Sequence, residues 1–156
     1  MLIIKIQTSI RIANMAQGKN KSFSLVAASD QPDLIHEIER LAEKASNHAG
    51  FSEEERDSLA IAVTEIGNNA INHGNKRDPR KKVFVDITTK PGEVRVVIRD
   101  QGPGFDPEQL SNPLDPENLL RESGRGVFIV RSLMDEVHFD FSKGGAETTL
   151  IKRKKS

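Results

Sequence analysis

Apolar and polar positions alternate along this chain with two periods, and each change of period marks an element. Over residues 22–28, Phe23, Leu25 and Ala27 fall on one side, the period of a strand. Leu34, Ile35, Ile38, Leu41, Ala42 and Ala45 then recur at helical spacing, with Asp30 as the expected cap, Pro32 in the first turn and Gly50 as the stop. Ser52 and Glu55 form a Ser-x-x-Glu capping box. It opens a second helix with the stripe Leu59, Val63, Ile66 and Ala70, expected to run to His73 with Gly74 as its C-terminal cap. Strands follow over 83–89 and 93–100, joined through Lys90-Pro91-Gly92. In the second of these, Val94, Val96 and Ile98 face one way and Arg95, Val97 and Arg99 the other. Gly124 and Gly126 are expected to precede a third helix, from Val127 to about Asp135, and a hairpin over 137–141 and 146–152 closes the chain.

Antiparallel hairpins with helices between them predict an α+β fold. Its form is a two-layer sandwich with a mixed, mainly antiparallel sheet and helices packed on one face. Residues 22–156 read as a single domain, and 1–21, whose periodicity is weak, as an arm or an extra strand. The stretch from Phe105 to Ser123 is too long for an ordinary connection, which suggests a lid or binding loop.

Composition narrows the functional classes. A length of 156 residues suits one domain with a real core, and 36% hydrophobic with 29% charged residues is an ordinary globular balance. The chain has no cysteine, which excludes disulfides, thiolate metal sites and cysteine nucleophiles. A net charge of zero argues against general nucleic-acid binding, which needs a basic surface. No apolar run reaches membrane-spanning length, and a cytoplasmic location is expected. The basic ends (Lys5, Arg11, Lys19 and Lys21; Lys152 to Lys155) and the run 76–82 read as solvated. His36, His48 and His138 have no metal-ligand spacing, and His73 suits a helix end.

Three segments carry candidate chemistry. Glu65, Asn69 and Asn72, spaced by four and three, share a face of the second helix; alone, a solvated face and a functional one are equally open. Asn69 offers a neutral oxygen suited to Mg²⁺, and Glu65, one turn earlier, a general base for a hydroxyl or a water. Asp100-x-Gly102-x-Gly104 supplies a carboxylate that can accept from an exocyclic amine, or else an Asx-turn. Gly124 and Gly126 suit either phosphate approach to a helix N-terminus or simple packing.

Taken together, Glu-x-x-x-Asn-Ala on a helix, then Asp-x-Gly-x-Gly, then Gly-x-Gly before a helix resembles the Bergerat-type ATP-binding fold of gyrase, mismatch-repair proteins, heat-shock chaperones and histidine kinases. Residues 64–74, 98–105 and 122–126 look like those of the bacterial anti-sigma-factor serine/threonine kinases of the partner-switching type. The resemblance spans about 22–153 and implies bound Mg-ATP, with Asn69 on the metal and Asp100 on the adenine amine. Gly102, Gly104, Gly124 and Gly126 would shape the lid and phosphate contacts. Asn72, Phe105, Arg125 and Val127 would complete the nucleotide site, with Thr148 or Thr149 at the adenine edge. Glu65 would be the base that activates a Ser or Thr hydroxyl of a small anti-sigma-factor antagonist. Glu122 stands where some members carry an arginine, so Arg121 or Arg125 would serve the γ-phosphate. The resemblance further implies a sigma factor as second partner and a homodimer. A module that sequesters a partner without transfer, and a detached histidine-kinase catalytic domain, are the alternatives.

Overall fold

Alternation in the strands and helical stripes between them assemble into two layers. The computed structural model describes residues 10–103 and 122–155. Its strands are β1 (Arg11–Gln17), β2 (Asn20–Ala28), β3 (Lys82–Lys90), β4 (Glu93–Arg99), β5 (Glu136–Asp140) and β6 (Glu147–Arg153), and its helices α1 (Leu34–Ala49), α2 (Glu53–Asn68) and α3 (Glu122–Leu133). The strands form one sheet in the order β1-β2-β3-β4-β6-β5. Every neighbouring pair is antiparallel, so the mixed sheet expected from the sequence contains no parallel pairing among the described residues. Short turns join β1 to β2, β3 to β4 and β5 to β6, and such turns permit only antiparallel pairing. Ahead of β2 the chain forms β1, joined through a turn in which Gly18 takes φ 60°.

Register turns the alternation into a core. Leu25 pairs with Val85, Val85 with Ile98, and Ile98 with Thr148; Phe23, Ile87, Val96, Leu150 and Val137 form the next row across the sheet. Both rows face the helices. Leu34, Ile38 and Leu41 of α1 and Leu59, Val63 and Ile66 of α2 close over them, all buried. Each such side chain contributes about 1.5–3 kcal/mol by leaving water. The opposite face carries Asp86, Thr88, Arg95 and Arg99, the last with its guanidinium 4.3 Å from the Phe84 ring centre.

Helix ends follow the sequence in part. Gly50 ends α1 at φ 77°, and at the start of α2 the Ser52 hydroxyl accepts from Glu55 N (3.2 Å) while Glu55 Oε1 accepts from Ser52 N (2.8 Å). The expected cap at Asp30 is not used. A turn in which Leu34 N donates to Gln31 O leads out of β2 and leaves Asp33 at the N-cap, without a side-chain bond.

Candidate active site

The site grows from the end of α2. After Asn68 the chain does not stop but widens into a π-helical turn, Asn69–Gly74, closed by Asn75 N on Ala70 O at 2.8 Å. Such turns are uncommon and cluster at functional sites. The wider turn has a different angular step, so the face drawn through Glu65, Asn69 and Asn72 divides. Glu65 and Asn69 are half-buried, whereas Asn72 and His73 point to solvent.

Gly74 is not the left-handed cap expected from the sequence, and it has no positive φ. Its glycine identity answers to Asp100. A Cβ on Gly74 would lie 3.0 Å from Asp100 Oδ1 and nearer still to the other carboxylate atoms. Reversal of the chain falls instead to Lys76 and Arg77, non-glycine residues at φ 52° and 56°. Beyond them Asp78 accepts from the Arg80 backbone (2.9 Å) and pairs with its guanidinium (3.0 Å), which holds the Asp78 carboxyl down to about 2.

Asp100 follows β4 directly and is buried. Its Oδ1 accepts from Gly102 N (2.9 Å) and Ala146 N (3.1 Å), while Oδ2 makes no hydrogen bond among the described residues. The Asx-turn and the ligand reading therefore coexist, one on each oxygen. Backbone crowds this carboxylate: a Cβ on Gly102 would lie 2.8 Å from Gly74 Cα, and one on Gly145 2.9 Å from the Asp100 carbonyl carbon. Thr148, buried and paired with Ile98, shares the helix-facing side of β6 with Leu150, whereas Thr149 pairs with Val97 on the opposite side. Pleating thus decides between the two threonines for any contact on the helix side.

Across from Asp100, α3 lies against α2. The helix starts at Glu122 rather than Val127, so Gly124 and Gly126 lie inside it. The helix onset expected at Val127 is corrected accordingly, and Gly126 lies past the first four amides of the described helix. Its lack of a side chain serves a different end. A Cβ there would sit 3.1 Å from Glu65 Cδ, closer still to Oε2, and 3.9 Å from Asn69 Nδ2. Val127 is half-buried and Arg125 exposed, with no ion pair among the described residues. Arg121, Gly104 and Phe105 lie outside the described residues.

One central residue escaped the sequence reading. Asn75 is fully buried; its Nδ2 donates to Ser29 Oγ (2.8 Å) and Lys82 O (2.9 Å), and its Oδ1 accepts from Gln101 N (2.7 Å). In the sequence it merely opens a basic loop, and no periodicity marks it.

A model described as the histidine kinase-like ATPase domain matches residues 28–152. The chain belongs to this family. Among its relatives, the serine-protein kinase RsbW of Staphylococcus epidermidis is 33% identical over 113 residues, 68% of this chain and 70% of the relative. That of Oceanobacillus iheyensis is 28% identical over 120 residues, 73% of this chain and 76% of the relative. The family member described here is accordingly a protein kinase of the serine/threonine class. Solved structures of histidine kinases share its fold. The mycobacterial sensor histidine kinase MprB superposes with a TM-score of 0.52 at 19% identity, over 76% of this chain and 93% of that one. The nucleotide-free catalytic domain of histidine kinase ThkA gives 0.53 at 16% identity, over 78% and 90%. The expected α+β architecture with an ATP-binding family's sheet and helices is thus the one observed. Among the described residues no helix is long and apolar enough to cross a membrane.

Proposed function

We propose that the chain is a Mg-ATP-dependent serine/threonine kinase that acts as an anti-sigma factor, phosphorylating a small antagonist protein and exchanging it for a sigma factor. One observation carries the reading. The segment from Glu65 to Gly74 is flanked at one end by Gly126 of α3 and at the other by the Asp100 carboxylate. Nine residue steps separate the two ends, which as α-helix would span roughly 13 Å and in the wider turn somewhat less, still on the scale of a nucleoside triphosphate.

Chemical roles follow from the donor set. Asp100 Oδ2, uncommitted within the described protein, is the acceptor for the adenine amine, and Thr148 lies on the same side of the sheet. Asn69 presents a half-buried carboxamide with no hydrogen bond from its side chain among the described residues. A neutral oxygen of this kind fits Mg²⁺, which keeps water and phosphate as most of its ligands. When bound, that ion neutralises phosphate charge. Glu65, one turn away, accepts the proton of the acceptor hydroxyl. The hydroxyl oxygen bonds to the γ-phosphorus, the bond from that phosphorus to the β–γ bridging oxygen breaks, and ADP leaves. Arg125, exposed and adjacent to Gly126, is a cation available to the γ-phosphate among the described residues, and Arg121 is the other candidate. The family assignment supports the nucleotide, and the serine-protein kinase names of the relatives support the acceptor class.

The test is transfer itself. With ATP, Mg²⁺ and the antagonist, the wild type forms phosphoprotein, while Glu65→Ala binds ATP and transfers nothing. Tight ATP binding by the wild type with no transfer to its true partner would leave only a sequestering module.

A further inference from the structure

Asn75 contacts three segments at once and has no role in the chemistry above. On that nucleotide reading, we propose that Asn75 is a positioning residue for base recognition: it holds the Asp100-Gln101-Gly102 strand end so that Asp100 presents its free oxygen to an exocyclic amine.

The hydrogen-bond inventory leaves little choice of residue. Gln101 N is a donor, so it needs an acceptor; Lys82 O is an acceptor and needs a donor. Ser29 Oγ already donates to Lys81 O at 2.7 Å, which leaves it a lone pair to receive Asn75 Nδ2. Only a carboxamide meets all three demands from one buried side chain. An aspartate there would face Lys82 O with an acceptor, and a leucine would leave Gln101 N without its acceptor and remove the donor to Lys82 O and Ser29 Oγ.

The clasp works in both directions. The Gln101 side chain returns to accept from Lys82 N at 2.7 Å, so the start of β3 and the end of β4 are tied twice. One residue before Asn75, Gly74 abuts the Asp100 carboxylate, and one residue after it the backbone turns left-handed. Asp100 is thus fixed from the front by its own Oδ1 bonds to Gly102 N and Ala146 N, and from behind through Gln101 N. Losing the bond from Gln101 N removes the support from behind, so that the remaining bonds of Gln101 and Asp100 no longer hold Oδ2 on the amine.

The consequence is specific to the base and not to the phosphates. Binding of ATP, of ITP (which carries a carbonyl in place of the amine) and of inorganic tripolyphosphate is measured by calorimetry on wild type, Asn75→Ala and Ser29→Ala. Wild type prefers ATP over ITP. In Asn75→Ala that preference collapses by roughly tenfold or more, the scale of a hydrogen bond to a charged group, while tripolyphosphate binding holds. Ser29→Ala, which spares the Gln101 bond, lowers Tm but keeps the preference. Should Asn75→Ala not fold, Asn75→Ser, one bond too short for Gln101 N and for the other two partners but polar enough to hold a water in the pocket, gives the same reading. A folded Asn75 variant that retains full ATP preference overturns the proposal and makes the residue merely structural. A wild type that binds ATP and ITP equally overturns instead the role given to Asp100.

Discussion

Replacing Gly126 by alanine should raise stability and lower activity in one variant. The substitution lies at the fifth position of α3, where alanine is favoured over glycine by about 1 kcal/mol. Without a collision the melting temperature would rise by roughly 2–4 °C in a protein of this size. The added Cβ, however, would stand 3.1 Å from Glu65 Cδ and nearer to Oε2, where ordinary contact begins at 3.4 Å. The obstacle is the far end of a flexible side chain, so the fold is spared and the carboxylate moves. A displacement on the order of 1 Å at a catalytic base costs about 100-fold in rate. Asn69 would be met at 3.9 Å, an ordinary contact, so ATP affinity should hold. Thermal melts, nucleotide titration and initial rates of phosphoprotein formation separate the three effects. A folded Gly126→Ala protein that phosphorylates at the wild-type rate would refute the placement of Glu65 against this helix as catalytically meaningful.

Two further outcomes rest on α2 and the turn that ends it. Asn69→Ala should abolish the Mg²⁺-dependent part of ATP affinity while the apo-protein melts as wild type; titrations with and without EDTA read this, and an unchanged affinity would remove the metal assignment. Glu55 is held below the ordinary carboxylate range, first by the hydrogen bond from the Ser52 amide and also by the Lys155 amide. A depressed folded value means stability that is fully present above about 4.3 and is lost as pH falls below it. Glu55→Gln should therefore cost about 1 kcal/mol near neutrality, the worth of a cap, and the gap between the two melting curves should narrow below pH 4. A gap independent of pH would contradict the assignment.

Local rules were legible wherever one interaction decides the conformation. The alternation of Phe23, Leu25 and Ala27, the capping box of Ser52 and Glu55, and Gly50 at its positive φ all appear as expected. Failures occur where distant parts of the chain meet. Gly74 reads as a helix cap, but the structure gives it an Asp100 neighbour 26 positions on; Gly126 reads as preceding a helix and lies inside it, as the gap that admits Glu65. The π-helical turn leaves no mark in a 3.6-residue pattern, which groups Asn72 with Glu65 and Asn69, whereas Asn72 is exposed and the other two are half-buried. Asn75 has partners 46, 7 and 26 residues away, and a lone asparagine after a glycine signals none of them.

Phosphoamino-acid chemistry tests the central claim most directly. The protein, Mg²⁺ and γ-labelled ATP are incubated with its acceptor protein, and the product is divided between acid and alkali. An acid-stable phosphate on serine or threonine, formed by wild type and absent with Glu65→Ala, is the predicted result. An acid-labile phosphate, the mark of phosphohistidine, would contradict the account.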